Sequence, residues 1–115
     1  MKSPITTHVL DTMSGKPAAG MKAVLEMETG PYQWKDLGHG ATNSDGRIND
    51  FLPESHRLAV GNYRVTFDTG AYFAVGGVQA FYPWVTVTFT VSEKKSSYHI
   101  PLLLSRFGYS TYRGS

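Results

Sequence analysis

The chain has 115 residues, about the usual size of one domain, so we expect residues 1–115 to form a single domain. Only 17% of the residues are charged, against roughly 25% in a typical soluble protein, which predicts that part of the surface is buried against other subunits. The net charge is +2 and the eleven Lys and Arg form no basic run, which argues against nucleic acid as a partner. With no cysteine, the chain has no disulfide, thiolate metal site or cysteine nucleophile.

The start of the chain, Met1 to Pro4, lacks the apolar stretch of a signal peptide. This predicts a cytoplasmic protein and leaves a peroxisomal or a processed periplasmic form open. Residues 69–92 carry no charge and are long enough to span a membrane. Glycines and Pro83 interrupt this segment, and its second half alternates apolar residues with threonine, so we expect sheet and no membrane partner.

Short strands separated by turn residues account for most of the pattern. In chain order, the predicted strands cover residues 5–10, 21–27, 34–42, 63–67, 85–91, 98–105 and 109–112. The turn Asn43-Ser44-Asp45-Gly46 precedes Arg47, which opens a further returning strand. A short helix fits only at Ala71 to Val75, between glycines. The sequence therefore predicts an all-β fold, a two-sheet sandwich of seven to eight strands with one short helix.

The four histidines fall into two groups. His39 and His56 lie in glycine-rich or loop contexts, which predicts solvated surface residues. His8 and His99 lie within apolar strands, where an imidazole needs a hydrogen-bond partner or a functional site. The residues alone favour the hydrogen-bonded structural role. No two histidines have the close spacing of a metal motif, so we predict no metal site.

The tripeptide Asp68-Thr69-Gly70 follows an apolar strand, as the catalytic Asp-Thr-Gly does in the small homodimeric aspartic proteases. The match covers three residues only. No flap is evident in the 45 residues after Gly70. We therefore favour a structural role, in which the Asp68 carboxylate caps the short helix that follows.

Five segments of this chain together resemble the 5-hydroxyisourate hydrolases, also called transthyretin-related proteins. They are Thr7 to Asp11, Thr42 to Arg47, Phe81 to Pro83, Tyr98 to Ser105, and Tyr109 to Ser115. The most specific is the last tetrapeptide, Tyr112-Arg113-Gly114-Ser115, which marks the hydrolases, whereas the transthyretins carry a longer, unrelated tail. The chain ends where the hydrolases end.

The resemblance implies a transthyretin-like sandwich of two four-stranded sheets, assembled as a homotetramer around a central channel that holds the active sites. It implies hydrolysis of 5-hydroxyisourate to 2-oxo-4-hydroxy-4-carboxy-5-ureidoimidazoline in urate degradation, with a small-molecule substrate and no cofactor. The alternative is a transthyretin-like protein that binds a thyroid-hormone-type ligand without catalysis. Such a carrier would need an apolar channel lining.

The resemblance also implies the site residues. The catalytic set is His8, Arg47, His99 and Ser115, and the substrate-binding set is His8, Arg47, Tyr112 and Arg113. Imidazole suits a general base near neutral pH, so His99 is the predicted base and His8 orients water or substrate. The guanidinium groups would hold the carbonyl edge and the developing oxyanion. Tyr112 would hydrogen-bond the substrate, and Ser115 would polarise a histidine or water through its hydroxyl or terminal carboxylate.

Overall fold

The computed structural model describes residues 3–115 and contains nine strands and one helix in that range. The elements are β1 (Ile5–Asp11), β2 (Lys16–Pro17), β3 (Lys22–Gly30), β4 (Gln33–Ala41), β5 (Arg47–Ile48), β6 (Gly61–Phe67), α1 (Thr69–Val75), β7 (Val85–Val91), β8 (Tyr98–Leu104) and β9 (Tyr109–Thr111). The predicted all-β class is confirmed. Seven strands have three residues or more, as predicted, and β2 and β5 add two residues each.

Two sheets make the sandwich. The first has the order β2-β1-β8-β9, with β5 also paired to β1, and the second has the order β4-β3-β6-β7. Each contains mostly antiparallel pairs, but β1 and β8 run parallel. The four-stranded first sheet implied by the resemblance is therefore a five-stranded sheet, because β1 pairs with two short segments in addition to β8.

The core lies between the sheets and follows from the alternation of side chains along each strand. The largest fully buried side chains include Ile5, Val9, Leu25, Tyr63, Val65, Phe67, Val85, Val91, Leu102 and Leu104. These residues come from five strands, and every second residue of each strand faces inward. The opposite face of the first sheet carries the alternate residues of β1 and β8, which include both polar and apolar side chains.

Helix α1 begins at Thr69, two residues before the predicted start. Asp68 occupies the position before the helix but makes no side-chain capping hydrogen bond, so the predicted cap is wrong. The helix start is held instead by the segment before β7, where the Gly70 amide donates to the Pro83 carbonyl at 3.0 Å. Among residues 3–115, no helix has the length and apolarity that a membrane span requires.

Candidate active site

The two central strands of the first sheet bring the separated histidines together. In the parallel register of β1 and β8, Thr6 lies opposite His99 and His8 lies opposite Pro101. Ile5, Thr7 and Val9 are fully buried toward the core, so the alternate residues of β1 face outward. His8 and His99 therefore share the outer face of one sheet although 91 positions separate them in the sequence.

A tight turn brings Arg47 beside His8. The Asn43 side-chain carbonyl accepts the amides of Asp45 at 2.9 Å and Arg47 at 3.0 Å, which closes the turn. Gly46 has φ +77°, and a Cβ there would lie 2.4 Å from the Val9 carbonyl oxygen, so only glycine fits. Arg47 then pairs directly with His8 across β1 and β5. The predicted returning strand at Arg47 is confirmed.

The last residues of the chain cross the same face next to His99. β9 pairs with β8, and the Thr111 hydroxyl donates to the Pro101 carbonyl at 2.7 Å. Beyond β9, the Gly114 amide donates to the His99 carbonyl at 2.8 Å in an isolated antiparallel bridge. A Cβ on Gly114 would lie 2.5 Å from Cδ2 of the His99 ring. The tail therefore lies in contact with the imidazole, and glycine at this position makes the contact possible.

These elements enclose a cleft of about 690 Å³ on the outer face of the first sheet. Of the sequence-predicted site residues, the cleft is lined by His8, Arg47, His99, Tyr112 and Ser115. The Arg47 guanidinium forms no ion pair with any carboxylate of residues 3–115. A cationic fork beside two imidazoles and several hydroxyls suits a small planar ligand that carries carbonyl groups.

Arg113 is the predicted site residue that does not line this cleft. Its guanidinium carbon lies 4.7 Å from the centre of the Tyr98 ring, a cation–π contact. It lines a second cleft of about 330 Å³, which shares Tyr98, His99 and Tyr112 with the first and also includes β7 residues such as Phe89. The Glu93 amide donates to the Tyr98 hydroxyl at 3.0 Å and lowers the pKa of that phenol, although burial opposes this shift.

Thr6 and Glu54 are among the cleft residues that were not predicted from the sequence. Thr6 is buried, and its hydroxyl oxygen lies 2.8 Å from Nδ1 of His99. Thr6 lies two residues before His8, so the alternation of side chains along the strand indicated that both face the same side of the sheet. Glu54 lines the cleft from the segment between β5 and β6, where no strand or motif indicated its direction. Among the described residues, no group of three His, Asp or Glu side chains could hold a metal ion.

The contact between the tail and His99 gives a testable expectation. In Gly114→Ala, the new methyl group must displace the His99 ring or the tail, since Cγ of Pro101 would also lie 3.2 Å away. Displacement of a reacting group by about 1 Å costs on the order of 100-fold, so we expect a loss of about 10- to 100-fold in turnover with little change in melting temperature. The matched control is Gly108→Ala, where the new Cβ would have Ser105 Oγ as its nearest neighbour at 3.9 Å and activity should persist. Equal activity of both variants would contradict the expectation.

Residues 5–114 match the profile of the HIUase/Transthyretin family. The chain belongs to this family. The resemblance inferred from the five sequence segments is thereby confirmed.

The similar proteins include both 5-hydroxyisourate hydrolases and transthyretins. The 5-hydroxyisourate hydrolase of Mus musculus is 46% identical over 114 residues, which cover 98% of this chain and 96% of that protein. The structure of Klebsiella pneumoniae 5-hydroxyisourate hydrolase has a TM-score of 0.85 and 35% identity, with full coverage of both chains. Sea bream transthyretin, solved in complex with thyroxine, has a TM-score of 0.89 and 31% identity, with coverage of 96% and 94%. The backbone alone therefore does not separate hydrolase from carrier, and the side chains of the cleft must do so.

Proposed function

We propose that the cleft around His8, Arg47 and His99 hydrolyses 5-hydroxyisourate in urate degradation. The observation that carries this proposal is the meeting of these three side chains and the tail on one sheet face. Relatives such as the mouse protein and the Klebsiella pneumoniae structure are named 5-hydroxyisourate hydrolases. The product is 2-oxo-4-hydroxy-4-carboxy-5-ureidoimidazoline.

The reaction adds water to a ring carbonyl of the substrate and breaks the adjacent carbon–nitrogen bond. The carbonyl carbon becomes a carboxylate, and the released nitrogen takes a proton and becomes part of the ureido group. Water is a weak nucleophile at neutral pH, and a neutral imidazole can take its proton as it attacks. We assign this step to His99 and the orientation of water or substrate to His8. Ser115, whose hydroxyl lines the cleft, polarises the histidine or the water.

Attack on the carbonyl puts negative charge on its oxygen, and the cleft needs a donor at that point. Arg47 supplies five N–H groups in a planar fork that can hold a carbonyl edge and the growing oxyanion together. Tyr112, which also lines the cleft, donates a hydrogen bond to the substrate ring through its hydroxyl. Arg113 contacts Tyr98 instead, so within one protomer its role in binding is indirect.

A carrier for a thyroid-hormone-type ligand is the alternative, and the cleft does not favour it. A site for a large aromatic ligand is lined mostly by apolar side chains. Here two imidazoles, a guanidinium and hydroxyls line the cleft. The test is to generate 5-hydroxyisourate in place from urate and to follow its ultraviolet absorbance. We expect decay far faster than the spontaneous rate, and decay at the spontaneous rate with the folded protein present would refute the activity.

We also propose a homotetramer, supported by the unequal edges of the second sheet. β4 carries Lys35 and Asp36, and a bulge interrupts its pairing with β3, as is common for strands that remain at an edge. β7 is seven residues long, has no charge, and pairs only with β6. A strand of this kind can pair with the same strand of a second copy of the protein. Large exposed side chains near this region, Phe81 and Trp84 among them, support further association.

Cytoplasmic location stays a prediction.

The oligomeric state can be measured by light scattering on the pure protein. We expect about four times the 12.7 kDa mass of one chain at micromolar concentration. A lysine in the middle of β7, Thr88→Lys, should dissociate the assembly, whereas Gln33→Lys on β4 should leave it intact. A stable parent protein of 12.7 kDa would contradict the tetramer. If Gln33→Lys dissociated the assembly and Thr88→Lys did not, the proposal that β7 is the pairing edge would be wrong.

A further inference from the structure

We infer that Thr6 is a positioning residue that holds His99 in the tautomer with a proton on Nδ1, so that Nε2 is the atom that takes the proton from water. This inference rests on the proposed function. Thr6 and His99 are directly opposed in the parallel pair of β1 and β8, and Thr6 Oγ1 lies 2.8 Å from Nδ1 of the ring. This distance is that of a normal hydrogen bond.

In a neutral imidazole, the hydrogen bond at Nδ1 determines which ring nitrogen carries the proton and which one can accept a proton. One ring nitrogen carries a proton and donates, and the other has a lone pair and accepts. The hydrogen bond made by one nitrogen sets the state of the other. When the Thr6 oxygen accepts from Nδ1–H, the lone pair is on Nε2. The opposite arrangement, with the hydroxyl donating to Nδ1, would leave a proton on Nε2 and remove the basic atom that the reaction needs.

The surroundings of Thr6 make the contact rigid. Thr6 is 8% exposed and lies in the middle of the first sheet, flanked in the chain by the fully buried Ile5 and Thr7. The neighbouring hydroxyl of Thr7 donates to the Ile100 carbonyl at 2.6 Å, which ties β1 to β8 next to the Thr6–His99 pair. Gly114 closes on the other side of the ring, since its Cβ position is 2.5 Å from Cδ2. The imidazole is thus held between a hydroxyl and the tail backbone.

The direct test reads the tautomer of His99 by nitrogen NMR in the intact parent protein, on the alkaline side where the ring is neutral. We expect a protonated Nδ1 and an unprotonated Nε2. Thr6→Val keeps the branched strand side chain but removes the hydroxyl, so the preference for this tautomer should weaken. Thr6→Ser keeps the hydroxyl and should restore it. The reverse tautomer in the parent protein would overturn the inference without any variant being needed.

Kinetics provide the second readout. The loss of one neutral hydrogen bond corresponds to about a threefold to tenfold fall in kcat. We expect that fall in Thr6→Val with an unchanged KM, because substrate contacts remain, and parental kcat in Thr6→Ser. The matched control is Thr66→Val on the second sheet, where the Thr66–Thr86 hydroxyl pair at 3.1 Å lies on the opposite side of the sandwich. It should leave both constants unchanged.

The outcomes separate the inference from the activity itself. A fall in kcat with an unchanged His99 tautomer in Thr6→Val would overturn the inference, because the threonine would then act through packing. Parental kcat in Thr6→Val would overturn it as well. A parent protein that shows the expected tautomer and hydrolyses no 5-hydroxyisourate would refute the proposed function and leave the contact between Thr6 and His99 standing.

Discussion

Removal of the last four residues, Tyr112 to Ser115, is expected to reduce the decay of 5-hydroxyisourate to its spontaneous rate while the sandwich still folds. The tail supplies three residues of the cleft, Tyr112, Gly114 and Ser115, and its backbone lies against the His99 ring. Beyond β9, an isolated bridge to His99 and a contact between Arg113 and the Tyr98 ring join the tail to the fold, so its removal takes no named strand from either sheet. β9 itself ends at Thr111 and stays paired with β8.

The truncation needs a readout of folding beside the readout of activity. Circular dichroism and the thermal midpoint should remain close to those of the parent protein, and light scattering should report the parental mass. Ser110→Ala is the matched control, since it alters the exposed strand just before the tail and leaves the cleft residues in place. Full turnover by a truncated, folded protein would show that the tail only completes the sheet edge.

Most of the fold follows from side-chain alternation along the strands. The predictions that were wrong concern segments without such alternation. Tyr63, Val65 and Phe67 were expected on one face of β6, and all three are buried. The helix began two residues early because the Pro83 carbonyl accepts the Gly70 amide, a tertiary contact with no local sequence signal. The same contact replaces the cap expected from Asp68. The two-residue strand β2 was missed, because a period of two cannot be detected over so short a length, whereas β5 was predicted from the turn residues before Arg47.

The site illustrates what a single sequence does and does not reveal. From the residues alone, His8 and His99 look like ordinary strand histidines, and the resemblance made them predicted site residues. The parallel pairing of β1 and β8 places them on one face. The turn residues predicted that a strand restarts at Arg47, and the resemblance gave Arg47 its predicted role in the site. The resemblance grouped Arg113 with Tyr112 through the terminal tetrapeptide, but adjacent residues of an extended chain point in opposite directions, and Arg113 contacts the Tyr98 ring. Glu54 needed the path of an irregular segment, which no periodicity encodes.

Arg47→Lys is expected to be nearly as damaging as Arg47→Ala, with a loss of about 100- to 1,000-fold in kcat, the range for removing one preorganised donor to an oxyanion. Lysine keeps the positive charge but loses the planar fork that would hold the carbonyl edge and its growing charge together. The turn should survive both changes, because Asn43 binds the Arg47 backbone amide and not its side chain.

The matched controls for Arg47 are Arg57→Lys and Arg57→Ala, which change an exposed arginine of the segment between β5 and β6 that does not line the cleft. Steady-state rates against freshly generated substrate should be parental for both. If charge alone mattered, Arg47→Lys would retain most of the parental kcat, and the fork geometry would then have no part in catalysis. If Arg47→Ala also retained it, the oxyanion would have to be held by another donor of the cleft, and the assignment of Arg47 would be wrong.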